Sequence, residues 1–132
     1  MTTNPCAVST LQVKLVQGDH TGWIDLHLCA DDVELAVSAS DVFSPFQDLV
    51  KFLENVIGGR LPCECEVDEE GVVKRFNALP LESAHVFLFR LCDGDEPSVV
   101  FIDRMFDRRQ FVSAFYDELV DFIATRYRAD KW

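Results

Sequence analysis

Along residues 44–59, SPFQDLVKFLENVIGG, apolar side chains recur at Phe46, Leu49, Val50, Leu53, Val56 and Ile57. This is the i, i+3, i+4, i+7 spacing of a helix that buries one face. Asp48, Lys51, Glu54 and Asn55 take the other side. Ser44 is placed as an N-cap, and Pro45 falls at the first helical position, where its missing N–H costs nothing. Gln47, three residues after the cap, completes a capping box. Gly58 and Gly59 supply a left-handed stop.

Before this helix the period is two. Leu11, Val13 and Leu15 alternate with Gln12 and Lys14, a half-buried strand that ends at the loop 18–22. In WIDLHLCA (23–30), Ile24, Leu26, Leu28 and Ala30 face one way, and Trp23, Asp25, His27 and Cys29 the other. Asp31 and Asp32 read as a tight hairpin turn without the usual glycine. The third strand turns Val33, Leu35, Val37 and Ala39 inward, with Glu34, Ala36, Ser38 and Ser40 outward.

After the helix, LPCECEV places Cys63, Cys65 and Val67 on one face of a strand and Glu64 and Glu66 on the other, followed by the acidic turn DEEG at 68–71. A less regular strand covers 72–79. HVFLFRL (85–91) is nearly apolar throughout, which predicts an interior strand covered on both faces. DGDEP (93–97) is a turn, and VVFIDRM (99–105) is the last strand. A second helix follows, with Asp107 as N-cap, Gln110 three residues on, and Phe106 and Phe111 spaced as a hydrophobic staple. Its apolar stripe is Phe111 or Val112, Phe115, Leu119, Phe122 and Ile123, and Arg126, Arg128 and Lys131 suit the negative end of its dipole.

The predicted order is β-β-β-α-β-β-β-β-α, an α+β domain with an antiparallel-rich sheet of about seven strands, able to curve into a half-barrel, and two helices packed on it. The whole of 1–132 reads as one globular domain, with 1–9 loosely ordered. A first helix of about 14 residues spans about 21 Å, the length of one strand, so it can carry the chain from one end of the sheet to the other. Its flanking strands would then run parallel. Hairpin counting places Asp19, Asp68, Glu69, Glu70, Asp93, Asp95 and Glu96 at the same end as Ser44. Asp31, Asp32, Glu82 and the start of the second helix fall at the opposite end.

Composition narrows the partners. Hydrophobic residues make up 48% of the chain, with 11 Phe, a globular interior rather than an acidic tail. The net charge of −11 repels a phosphate backbone, so nucleic acid is disfavoured and a basic protein is the expected partner. No leader-like or membrane-length apolar run is present, and the five cysteines are irregularly spaced, so a cytoplasmic, reducing setting with free thiols is expected. A monomer or homodimer with no cofactor is the corresponding expectation.

Four constellations invite a chemical reading. The acidic loops (Asp68, Glu69, Glu70, Asp93, Asp95, Glu96) read either as solvated turns or as a docking surface for a basic partner. The DGDEP turn lacks the ligand spacing of a calcium loop. Arg104, Arg108 and Arg109 crowd the positive end of the second helix. They either pair with Asp31, Asp32, Glu82, Asp103 or Asp107, or form an anion site. Cys63 and Cys65 share a strand face, which suits two small buried side chains better than a zinc knuckle.

Asp25, His27 and Cys29 also share a face, but same-face neighbours lie about 6.5–7 Å apart, beyond the hydrogen-bond reach of a base and its nucleophile. No G-x-S-x-G, H-E-x-x-H, Walker or G-x-G-x-x-G motif occurs. The preferred function is non-enzymatic protein binding by a small acidic domain, of the general type of immunity, inhibitor or adaptor proteins. The alternative is a small-molecule or anion-binding domain or enzyme that uses a pocket of the curved sheet, with His27, Cys29 or the arginine cluster.

Overall fold

The computed structural model describes residues 7–18 and 20–132. The strands are β1 (Val8–Ser9), β2 (Leu11–Gln17), β3 (Trp23–Ala30), β4 (Val33–Ser40), β5 (Cys63–Asp68), β6 (Val73–Pro80), β7 (Val86–Asp93) and β8 (Val100–Asp107). Helix α1 (Phe46–Ile57) lies between β4 and β5, α2 (Arg108–Thr125) follows β8, and a short 3-10 turn spans Ala129–Lys131. This is the α+β order that the sequence predicts, preceded by one extra two-residue strand. Residues 1–6 of the loosely ordered stretch lie outside the described residues, whereas Val8 and Ser9 pair in parallel with Met105 and Phe106 of β8.

The strands do not form one sheet. A five-stranded sheet has the order β1-β8-β7-β6-β5, and a three-stranded antiparallel sheet has the order β2-β3-β4. The division falls at Thr10, where one extended segment leaves the edge of β8 and joins β3 instead. It falls again at α1, whose flanking strands β4 and β5 belong to different sheets rather than running parallel in one. Hairpin turns fix which strands are neighbours, but a one-residue bend and a helical crossover do not.

The three-stranded sheet lies across the inner face of the larger one. Asp32, at its β3–β4 turn, reaches Arg104 of β8 at 3.5 Å, while Ser38 and Ser40 at the other end of β4 reach the β5–β6 turn. Asp31 adopts the left-handed conformation (φ 56°) that a short Asp side chain tolerates. The Ser9 hydroxyl and the Thr10 amide hold its carboxyl below the usual range.

Phenylalanine fills the space between the layers. Phe76, Phe87, Phe89 and Phe106 point inward from the five-stranded sheet, Phe111 and Phe115 meet them from α2, and Phe52 meets Phe76 edge-on from α1 at 6.2 Å. The staple forms as predicted: the Phe106 and Phe111 rings are 5.3 Å apart, and the Asp107 side chain accepts from the Gln110 amide. β7 is central in its sheet, but only one face is covered. Leu88 and Arg90 on the other face are half-buried, so its apolar sequence reflects the inner aromatic layer and not burial on both sides.

Both helices bury most of the predicted stripe but expose its far side. α1 buries Leu49, Phe52, Leu53 and Val56, which leaves Val50 and Ile57 exposed. The large Phe52 ring turns the helix toward Phe76, and the far side of the six-residue stripe moves into solvent. α2 buries Phe111, Phe115 and Phe122, whereas Ile123 is 65% exposed. The capping box of α1 does not form. The Pro45 carbonyl already accepts from the Leu49 amide, so Pro45 holds the cap position and Ser44 sits one residue too far out. The stop is as predicted, with Gly59 left-handed at φ 72° and Arg60 donating to the Glu54 carbonyl and the Asn55 side chain.

The free edge of β2 is covered by a helix rather than by a strand. Gln110 accepts from the Leu11 amide and donates to the Leu11 carbonyl, and Glu118 accepts from the Leu15 amide. Eight residues of helix rise about 12 Å, and four residues of strand about 13 Å, so positions 110 and 118 match positions 11 and 15. The small Ala114 between them allows the close approach. No helix among the described residues is long and apolar enough to cross a membrane.

Candidate functional site

The acidic turns do gather at one end. Gly94 donates to the Val73 carbonyl, which seats the β7–β8 turn against the β5–β6 turn, and Ser40 of β4 donates to Glu70. Asp19 lies outside the described residues. Most of these carboxylates are already occupied. Asp68 accepts from the amides of Glu70 and Gly71, and Asp93 accepts from those of Asp95 and Glu96, which makes each the hinge of its own turn. Glu69 pairs with Lys74 and accepts from the Ser38 amide on the free edge of β4, with both side chains only 12% exposed. Among the described residues, only Asp95 and Glu96 of the six have side chains with no protein partner.

This geometry separates structure from surface charge. Glu69→Lys would set two cations together and strip the Ser38 amide of its acceptor, an expected loss of about 1–3 kcal/mol. Asp95→Lys and Glu96→Lys should change stability by less than about 0.5 kcal/mol. Thermal melts decide this, and equal losses would mean that Glu69 does not tie the hairpin to β4.

The three arginines are not equivalent. Arg104 pairs with Asp32. Arg108 begins α2 and lies over Gly59, where an added Cβ would be 2.9 Å from its Nη1, so it sits at the end of α1, the negative pole of that helix. Its Nε is buried without a hydrogen-bond partner. The shallow pocket beside it, about 290 Å³, also contains Glu82, a carboxylate that opposes an anion. Arg109 is exposed.

Cys63 and Cys65 face the core as small apolar side chains, and no group of three or more His, Cys, Asp or Glu among the described residues is placed to hold a metal ion. Burial pushes the Cys65 thiol up to about 12. The unfolded thiol ionises near 8.5 while the folded one keeps its proton, so this residue makes stability fall as pH rises above 9, by up to about 1.4 kcal/mol per pH unit. Melts of the parent and of Cys65→Ala between pH 8 and 10.5 should diverge in slope; parallel curves would refute the shift.

Asp25 and Cys29 are each engaged separately, and neither bonds to His27. Asp25 accepts from the Ser38 hydroxyl at 2.9 Å, and Cys29 donates to the Asp31 carbonyl at 3.3 Å. His27 is exposed, flanked across the strands by Lys14 and Ala36. His27 and Cys29 border an open concavity of about 760 Å³ on the outer face of the three-stranded sheet, together with Gln12, Lys14 and Glu34, whereas Asp25 lies in a separate hollow with Trp23 and Ser38.

A second groove, about 440 Å³, lies between α1 and α2, away from every residue singled out above as a candidate site. Phe46 and Val50 form one wall, and Tyr116, Leu119, Val120 and Ile123 form the other. Trp132 and Tyr127 also line it. Trp132 meets the Phe46 ring edge-on at 5.7 Å and is held there because Lys131 accepts from the Gly22 amide and Gln17 makes two bonds to the Arg128 backbone. Tyr116, Val120 and Ile123 are 61%, 50% and 65% exposed and recur at i, i+4 and i+7, a second apolar stripe on a helix that already buries one. The available signal was an apolar arc on α2 too wide for one buried face. Compared with protein-family models, curated proteins and solved structures, the chain matches none.

Proposed function

We propose that this protein is a non-enzymatic binding domain for another, basic protein, and that the partner docks on the α1/α2 groove. The observation that carries the reading is the exposed stripe Tyr116, Val120 and Ile123, continued across the groove by Val50. A contiguous apolar surface rimmed by polar residues is the usual mark of a protein interface, whereas scattered apolar residues are not. The groove is open along its length, whereas a small-molecule site buries most of its ligand's surface, so its shape suits a protein segment better. The net charge of −11 favours encounter with a basic partner. Asp95 and Glu96 are the acidic-turn side chains free to add to that attraction.

The alternative, a small-molecule or anion-binding domain or enzyme, draws support from the concavity beside Lys14 and His27. Its polar groups diverge, however, since Cys29 turns back to the Asp31 carbonyl.

A photo-crosslinker at position 123, used in a native extract with mapping of the crosslinked peptide, tests the docking reading. A basic partner is expected, attached from position 123 and lost when Val120 is replaced by Gln. A partner that attaches equally well from a crosslinker at position 36, in the outer concavity, would move the site away from the groove.

A further inference from the structure

Resting on that docking reading, we infer that the segment seated in the α1/α2 groove is an amphipathic α-helix with basic residues on its polar face. The groove dictates the backbone of its occupant. Its walls are side chains of two helices whose own backbone groups are already bonded, and its side-chain polar groups are few: the Ser44 hydroxyl, the phenols of Tyr116 and Tyr127 and the Trp132 indole N–H. A strand or an irregular segment laid there would bury amides and carbonyls with nothing to pair with them. A helix satisfies its backbone internally and presents only side chains.

The spacing agrees. Phe46 and Val50 near the start of α1 face Leu119 to Ile123 late in α2, and Gly59 beyond α1 meets Arg108 at the start of α2, so the two helices run antiparallel with a furrow between them. Tyr116, Val120 and Ile123 form a ridge about 10 Å long, which matches anchors at i, i+3 or i+4, and i+7 of a third helix.

The net charge of −11, with carboxylates on both helices that form the groove, supplies the sign of the charge. Glu54 lies between Val50 and Ile57 on one stripe of α1, and Asp117 precedes Val120 by one turn. Both are exposed and form no ion pair among the described residues; Lys51 beside Val50 and Lys131 beside Trp132 are unpaired as well, whereas Arg126 and Arg128 are neutralised by Glu118, Asp121 and Asp130, so the acidic sign rests on the excess of carboxylates over the whole chain. The same charge opposes a second copy of this chain, which would bring −11 against −11.

The test uses the full chain with Trp23→Phe, so that Trp132 reports from the groove. The probes are two 16-residue Leu/Lys peptides of identical composition, one with leucines at i, i+3, i+4 and i+7, the other strictly alternating. The helical-pattern peptide is expected to bind at least tenfold tighter, to gain helical circular dichroism on mixing, and to lose at least tenfold in affinity against Val120→Gln/Ile123→Gln. Glu54→Gln/Asp117→Asn should flatten its salt dependence. Equal binding of the alternating peptide would reduce the effect to diffuse charge and overturn the inference, as would binding indifferent to the Val120 and Ile123 replacements. A dimer in sedimentation that the same replacements dissolve would assign the groove to a second copy and overturn it too. If neither peptide binds while the position-123 crosslink still marks a partner, the helix inference fails and the docking reading stands.

Discussion

Phe111→Ala is expected to destabilise the domain by about 3–5 kcal/mol, a large part of a typical total of about 5–15 kcal/mol. Phe111 is fully buried, and its ring centroid lies 5.0, 4.8, 5.3 and 5.2 Å from those of Phe87, Phe89, Phe106 and Phe115. Truncation therefore removes apolar burial and leaves a cavity walled by rigid rings that cannot collapse into it. Aromatic pair geometry adds about 0.5–1.5 kcal/mol per contact beyond the area term. The staple is lost as well, so the entry into α2 loosens. Denaturant unfolding monitored by circular dichroism measures the change, and a loss below about 1.5 kcal/mol would show that the aromatic layer repacks freely.

Leu53→Asp is expected to unfold the domain, while Val50→Asp leaves it folded. The two positions are less than one helical turn apart, but Leu53 is 4% exposed inside the core and Val50 is 44% exposed in the groove. A carboxylate without a partner at position 53 loses its hydration at a cost of several kcal/mol. At position 50 it stays in water, and the expected change is within about 1 kcal/mol. Comparable loss of helical signal and melting temperature in both variants would place Val50 in the core and remove one wall of the groove.

Local patterns were legible because each rests on neighbours in the chain. Alternation in WIDLHLCA identifies the inner face of β3, since a half-buried strand must alternate. Asp107, Gln110, Phe106 and Phe111 identify the start of α2 because cap and staple are formed within one turn. Distant competition was not legible. Seven apolar residues on α1 were compatible with several buried arcs, and the contact of Phe52 with Phe76, on a strand later in the chain, accompanies the burial of Phe52 rather than Val50. Ile123 carries the same hydrophobicity whether it faces a core or a partner. The carboxylates of Asp68 and Glu69 resemble surface charge until the amides they accept from are in place. The α+β class could therefore be read from local signals, whereas the groove, which is apolar surface left over after packing, could not.

The cover that α2 lays along β2 constrains the order in which this protein can be completed. Leu11 and Leu15 find their partners at Gln110 and Glu118, 99 and 103 residues later. A nascent chain that has not yet delivered residues 108–125 carries a three-stranded sheet with an unprotected edge, a template for pairing with other chains. Non-local closure of this kind is slow, because loop entropy is lost before the contact is gained. Synthesis thus sets a window in which the edge of β2 stands open, and that window closes only when α2 emerges.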